Sequence, residues 1–161
     1  PNFRGRSMAI KDAGERTVES DPEDIRRFLH SYTEDTYRVH EYRQSRCGCG
    51  SLRFSLWVDE EECSAKRRCA DCGKEEFIFD GEEYWSGEHA ELCACGACDD
   101  PKDLCNVGVG YSLYEEPSND GSLVAVKWIF IGFRCVACGV FGCVGGWSIG
   151  SEMTKEMLDQ V

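Results

Sequence analysis

Cysteine is the residue type whose number and spacing say most about the chemistry open to this chain. Twelve of its 161 residues are cysteines, and eight of them form four closely spaced pairs. The pairs are Cys47/Cys49, Cys69/Cys72, Cys93/Cys95 and Cys135/Cys138. Thiolates two or three positions apart on a tight turn can bind one metal ion together. The pairing therefore indicates metal binding, whereas isolated cysteines would favour the disulfides of a secreted protein.

Two metal sites are expected, because zinc in structural sites is held by four ligands at the corners of a tetrahedron. Taken in sequence order, the ligands are Cys47, Cys49, Cys69 and Cys72 for the first site and Cys93, Cys95, Cys135 and Cys138 for the second. This predicts two Zn²⁺ per chain. Two alternatives remain open: the sites could cross between the two halves, and Cys98 could replace Cys93, since Cys95 and Cys98 also form a CxxC pair. Iron can use the same ligands.

Catalytic motifs are missing from the sequence. Four thiolates leave no open coordination position, so both metal sites are expected to be structural. The three histidines, His30, His40 and His89, stand apart from the cysteine pairs. No phosphate-binding glycine loop and no serine or cysteine nucleophile motif occurs. The sequence therefore favours a protein that is not an enzyme.

The Cys-rich region contains an internal repeat. Each copy has a CxCG knuckle, a strand or hairpin, an RCxxCG knuckle, another strand and a tryptophan, which is Trp85 in the first copy and Trp147 in the second. Glycine after a knuckle allows the positive φ angle that such turns often need. Over residues 46–86 and 92–148 this pattern resembles the zinc-ribbon family, without indicating a particular member. The resemblance implies two β units, each closed around one zinc ion.

Apolar periodicity predicts the elements that position the knuckles. Ile25, Phe28, Leu29 and Tyr32 form one stripe, so a helix is expected over 21–33 with Ser20 as its cap. Strands are expected at 36–44, 52–58, 76–80, 107–114, 124–134 and 140–149. The expected fold class is α+β, with an N-terminal helical segment packed on a mostly antiparallel β core made of two zinc-ribbon-like units.

Four segments follow from these elements. They are an N-terminal helical segment (1–45), a first zinc-ribbon-like unit (46–91), a second zinc-ribbon-like unit (92–150) and a C-terminal helix (151–161). Cys63, Cys105 and Cys143 lie outside the expected ligand sets, and buried apolar positions are the expectation for them.

The charge distribution argues against nucleic acid as the partner. The formal net charge is −12, and residues 47–161 account for all of it, with 21 acidic and 9 basic side chains. Each site of four thiolates and one divalent ion adds about two more negative charges. Such a surface repels phosphate groups. The acidic run over residues 75–91, with Tyr84 and Trp85 inside it, is expected to dock a basic protein instead.

The expected function is that of a cytoplasmic zinc protein that binds another protein. Paired thiols suit a reducing compartment, and the chain shows neither a secretory pattern nor an apolar run of the roughly 18 residues that span a membrane. An immunity or antitoxin protein that neutralises a basic toxin would fit the acidity and the small size. The alternatives are an iron- or thiol-based redox protein and a nucleic-acid-binding zinc-ribbon protein.

Overall fold

One antiparallel sheet dominates the computed structural model, which describes residues 21–115, 121 and 123–161. Its eight strands and few helical residues confirm the expected fold class. The elements in chain order are α1 (Asp24–Thr33), β1 (Glu41–Gln44), β2 (Phe54–Asp59), β3 (Ser64–Cys69), β4 (Glu75–Phe77), α2 (Gly81–Tyr84), β5 (Glu91–Leu92), β6 (Cys105–Leu113), β7 (Leu123–Cys135), β8 (Phe141–Thr154) and a 3-10 helix (Lys155–Asp159). The strand order is β4-β3-β2-β6-β7-β8, with β1 paired to β6 and β5 paired to β2.

The two Cys-rich halves meet within this sheet. Phe54, at the start of β2, pairs with Cys105, at the start of β6, so strands from both halves form one hydrogen-bonded layer. β7 runs through the middle of the second half, with β6 on one edge and β8 on the other. The sequence of β7 is apolar over nearly its whole length, which suits a central strand because both faces of β7 are covered.

The sheet curls around an apolar core. Leu56 and Val58 of β2 belong to the same buried cluster as Ile129 and Ile131 of β7. Val58 also reaches β8, since a Cβ atom placed on Gly145 would lie 3.1 Å from the Val58 Cγ1 atom. Strands that are not neighbours in the sheet therefore contact each other across the core.

Helix α1 packs on the other face of the β6–β8 region. Its residues Ile25 and Leu29 are fully buried and lie over Gly132. A Cβ atom at Gly132 would come within 2.9 Å of the Ile25 Cγ2 atom. Glycine is needed at this close approach, because a side chain would push the helix away from the strand.

The start of α1 differs slightly from the expectation. The helix begins at Asp24, and the Asp21 carboxylate accepts a hydrogen bond from the Glu23 N–H (3.0 Å). The expected cap, Ser20, lies outside the described residues.

In the described part of the chain, no helix has the length and apolar character needed to cross a membrane.

Several strand boundaries also differ from the expectation. β1 covers only the end of the predicted strand 36–44, and β4 covers only the start of 76–80. The polar sequence of β3 predicts no strand, yet β3 pairs with β2 on one edge and with β4 on the other. The helix expected over 151–161 is replaced by the end of β8 and the 3-10 helix, since Thr154 still pairs with Leu123 of β7.

Candidate metal centres

The first candidate centre lies where the loop before β2 meets the turn after β3. The Sγ–Sγ distance is 3.5 Å between Cys47 and Cys72 and 3.6 Å between Cys49 and Cys69. All four sulfur atoms lie within 4.8 Å of one another, and they are the first ligand set expected from the sequence. Sulfur atoms about 2.3 Å from a central zinc ion form a tetrahedron with edges of about 3.8 Å. The four thiols are therefore spaced to hold one metal ion.

Backbone hydrogen bonds fix the turn that carries Cys69 and Cys72. The N–H of Gly73 donates to the Cys69 carbonyl (3.0 Å), and Gly73 has a φ angle of +75°. The Asp71 N–H donates to the Cys69 Sγ atom at 3.4 Å. The N–H groups of Cys72 and Asp71 lower the pKa of the Cys69 thiol to about 6. This sulfur is therefore readily a thiolate, which is the form that binds a metal ion.

The second candidate centre repeats this arrangement in the turn after β7. The Sγ–Sγ distance is 3.6 Å between Cys95 and Cys138 and 3.8 Å between Cys98 and Cys135, and all four sulfur atoms again lie within 4.8 Å. The following glycine, Gly139, has a φ angle of +77° and donates its N–H to the Cys135 carbonyl (2.9 Å). Both centres are sequential in the chain, as expected, and neither crosses between the halves.

The backbone next to the two turns is also equivalent. The N–H of Ala70 donates to the Arg53 carbonyl (2.9 Å), and the N–H of Val136 donates to the Leu104 carbonyl (3.0 Å). In each case the residue after the first cysteine of the knuckle donates a hydrogen bond to the residue that precedes the paired strand. These matched hydrogen bonds support the internal repeat inferred from the sequence.

The structure places Cys98 in the second centre, in the position expected for Cys93. Cys93 continues the pairing of β5 with β2, because its N–H donates to the Leu56 carbonyl (2.7 Å), and its side chain is buried in the core. It lies there beside the buried Cys105 thiol, whose pKa is raised by a hydrogen bond with Cys93 and by burial. The ligand pair is thus Cys95/Cys98, whose CxxC spacing equals that of the two RCxxCG knuckles.

We expect Cys98→Ser to lose one of two metal ions and Cys93→Ala to keep both. The reason is that only the Cys98 sulfur lies with the other three ligands, whereas Cys93 faces the core. Elemental analysis of the reduced, purified proteins measures the outcome. If Cys93→Ala lost a metal ion and Cys98→Ser kept both, the ligands of the second centre would include Cys93 instead of Cys98.

Exposure differs between the two centres. In the first, Cys49 and Cys72 are exposed while the other two cysteines are buried. In the second, Cys135 is buried and its three partners are half-buried. Burial raises the pKa of the Cys135 thiol to about 12 in spite of N–H donors from its own turn. A metal ion in the first centre would therefore be closer to solvent than one in the second.

The remaining candidate ligands do not join these centres. His40 accepts a hydrogen bond at Nδ1 from the Leu113 N–H (2.9 Å), and His89 lies 3.3 Å from a Glu61 carboxylate oxygen. Cys63 and Cys143 are half-buried rather than fully buried. Among the residues that the structure describes, the two four-cysteine sets are the groups of cysteine, histidine and carboxylate side chains spaced for a metal ion.

Comparisons with protein-family models, with curated proteins and with solved structures give no match. The resemblance to zinc ribbons therefore stands on the geometry of the knuckles, and it indicates no specific family. The chain carries two four-cysteine groups, each spaced to hold a metal ion, on one antiparallel sheet.

Proposed function

We propose that this protein is a zinc-stabilised interaction module whose acidic Cys-rich part binds a basic protein. The observation that carries the metal part is that each centre consists of four thiols at tetrahedral spacing. Zinc is saturated by four thiolates, which leaves no coordination position for water or substrate. Such a centre holds loops in place and does not activate a reactant.

Each zinc ion would join a loop to a distant turn. The first ion would link the loop that holds Cys47 and Cys49 to the end of β3, and the second would link the loop that holds Cys95 and Cys98 to the end of β7. These loops contain little regular structure of their own. Metal binding would therefore fix the conformation of these loops, which their own backbone hydrogen bonds do not fix alone.

Charge supports a basic partner. Residues 75–92 contain seven acidic side chains and no lysine or arginine. Several of these carboxylates are exposed, among them Glu82, Glu83, Glu88 and Glu91. Complementary charge accelerates encounter with a basic protein and selects against phosphate-bearing partners. Neutralisation of a basic toxin by an immunity or antitoxin protein in the cytoplasm is the activity that this combination fits best.

Metal analysis tests the first half of the proposal. Protein from a reducing host should contain two zinc ions per chain and show no visible absorption from iron. Mass spectrometry should find the eight ligand thiols reduced once zinc is removed under anaerobic conditions. A red, iron-containing protein would instead support the electron-transfer alternative, and a metal-free protein with oxidised thiols would contradict both.

Capture of a partner tests the second half. Immobilised wild type should retain a basic protein from extracts of the native host, and Glu82→Lys/Glu83→Lys should not retain it, because reversal of charge repels the partner. Labelled duplex DNA and single-stranded RNA should bind poorly at both low and physiological salt. Tight, salt-sensitive binding of either nucleic acid would contradict the proposal.

A further inference from the structure

A row of large side chains crosses the outer face of the strands β5, β2, β3 and β4. Trp57 of β2 pairs across strands with Leu92 of β5 and with Lys66 of β3, and Lys66 pairs in turn with Phe77 of β4. Directly paired residues of neighbouring strands point to the same face of a sheet. The neighbours of Trp57 within β2 are buried in the core, so this row lies on the opposite face.

Trp85 extends the row beyond its last strand. Its ring packs edge-to-face against Phe77, with ring centroids 5.8 Å apart. The Lys66 ammonium lies between two indoles, 5.4 Å from the Trp57 centroid and 5.1 Å from the Trp85 centroid, and 3.6 Å from a Glu75 oxygen. The rings therefore already hold one cation. We call the set of Leu92, Trp57, Lys66, Phe77 and Trp85 the aromatic face, and the exposed Tyr84, the last residue of α2, adjoins it as the residue before Trp85.

The aromatic face is open to solvent within the described part of the chain. Tyr84 is 51% exposed and Leu92 is 41% exposed, while Trp57 and Trp85 are half-buried. The longer helix, α1, packs on β6, β7 and β8 instead. Partly exposed aromatic side chains held in place by a sheet can anchor a protein partner.

Carboxylates border the aromatic face on two sides. Glu82 and Glu83 precede Tyr84 in α2 and are exposed. Glu75 of β4 lies 3.6 Å from the Lys66 ammonium. Glu61, in the turn after β2, has a side chain that is 71% exposed. A cationic side chain docked on the rings would therefore have carboxylates close by.

The basic side chains of the same strands do not cancel this charge. Lys66 is paired with Glu75 and is largely covered by the two indoles. Arg68 shares this face, because it pairs with Glu75, but its guanidinium lies towards the first metal centre, where a Cβ atom on Gly73 would be 3.9 Å from it. The rim of the aromatic face therefore keeps its negative charge.

We propose that the aromatic face is a docking surface for an arginine-rich segment of a partner protein. The inference rests on the proposed function and identifies the surface and the side chain that the basic partner uses. A guanidinium can stack on an aromatic ring while it pairs with a carboxylate through two hydrogen bonds. The ammonium of lysine is a strongly hydrated point charge that lacks this planar geometry. Rings bordered by carboxylates therefore select arginine over lysine.

Oligoarginine and oligolysine peptides of equal length test the selection. Each labelled peptide is titrated with the metal-loaded chain at physiological salt, and its fluorescence anisotropy is measured. Oligoarginine should bind about fivefold more tightly than oligolysine, which corresponds to one exposed cation–π contact. Tyr84→Ala/Leu92→Ala should weaken oligoarginine binding about tenfold or more, because it removes the two most exposed large side chains at the ends of this surface.

Matched variants separate docking from general charge attraction. Tyr114→Ala removes another exposed tyrosine (48% exposed) at the far end of β6 and should bind oligoarginine like wild type. Glu82→Gln/Glu83→Gln should weaken binding, whereas Glu34→Gln/Asp35→Asn removes the same charge after α1 and should not. Equal affinity for the two peptides, or equal weakening by both pairs of variants, would overturn the inference.

The partner experiment distinguishes failure of this surface from failure of the proposed function. If the host extract yields a basic protein that Tyr84→Ala/Leu92→Ala still captures, the surface assignment is wrong and the proposed function stands. If oligoarginine binds selectively to the aromatic face but wild type captures no basic protein, the proposed function fails and the arginine selectivity stands. Loss of the captured protein in Tyr84→Ala/Leu92→Ala, with retention by Tyr114→Ala, supports both.

Discussion

Cys72→Ser and Cys138→Ser should each lose one metal ion and a large part of the stability of the fold. Each residue supplies one of four sulfur atoms that lie within 4.8 Å of one another. Binding of structural zinc contributes about 10–16 kcal/mol in zinc-finger peptides, whereas whole domains are stable by only about 5–15 kcal/mol. Loss of one centre should therefore unfold at least the half of the chain that contains it. Elemental analysis and thermal unfolding followed by circular dichroism measure the two effects.

Two other cysteines provide the control for this loss. Cys63→Ala and Cys143→Ser change half-buried thiols outside both centres and should keep two metal ions and most of the stability. A chelator strong enough to remove zinc should reproduce the unfolding in wild type. If Cys72→Ser lost its metal ion but unfolded at the wild-type temperature, the centres would not be structural.

Glu76→Ala should destabilise the metal-loaded protein by about 3 kcal/mol, because it removes the carboxylate beside a buried guanidinium. The Arg67 side chain is only 3% exposed, and it lies 2.9 Å from a Glu76 oxygen and 4.4 Å above the Phe54 ring. Breaking a buried ion pair typically costs about 3–5 kcal/mol. The lower end applies because Glu76 is itself 34% exposed. Urea unfolding of the metal-loaded chain measures the change.

The neighbouring glutamate supplies a matched control. Glu75 is 49% exposed and lies 3.6 Å from the Lys66 ammonium, so Glu75→Ala should cost less than about 1 kcal/mol. A hydrogen bond from Lys74 and the positive charge of Arg67 lower the pKa of Glu76. The stability from this carboxylate is therefore present at neutral pH and is lost as the pH falls through its pKa. Equal losses in the free energy of unfolding for Glu75→Ala and Glu76→Ala would show that burial of Arg67 does not depend on Glu76.

Local spacing determined much of the metal chemistry. The first ligand set and the RCxxCG knuckles at Cys69/Cys72 and Cys135/Cys138 follow from the sequence, because two thiols and a following glycine define a turn within a few residues. The mostly antiparallel α+β class and the central strand β7 follow from long apolar runs in the same way. Binding of a basic partner and the cytoplasmic location remain predictions.

Tertiary structure decided what local spacing left open. The sequence allowed Cys95 to pair with either Cys93 or Cys98, and the choice depends on the pairing of β5 with β2, which turns Cys93 into the core. The polar strand β3 exists because β2 and β4 hydrogen-bond to its two edges. Strand pairing joins residues that are distant in the sequence, and its free energy comes from contacts that no short window contains.

The aromatic face also depends partly on the local sequence and partly on the tertiary structure. Tyr84 and Trp85 were visible as aromatic residues in an acidic run, but their neighbours in space were not. The register of β5, β2, β3 and β4 places Trp57, Lys66 and Phe77 in one row, and the fold then brings Trp85 against it. The sequence alone determined the residue types and the charge of this region. Only the register of the strands decided which side chains share a face, because a shift of one residue would turn every one of them to the other side of the sheet.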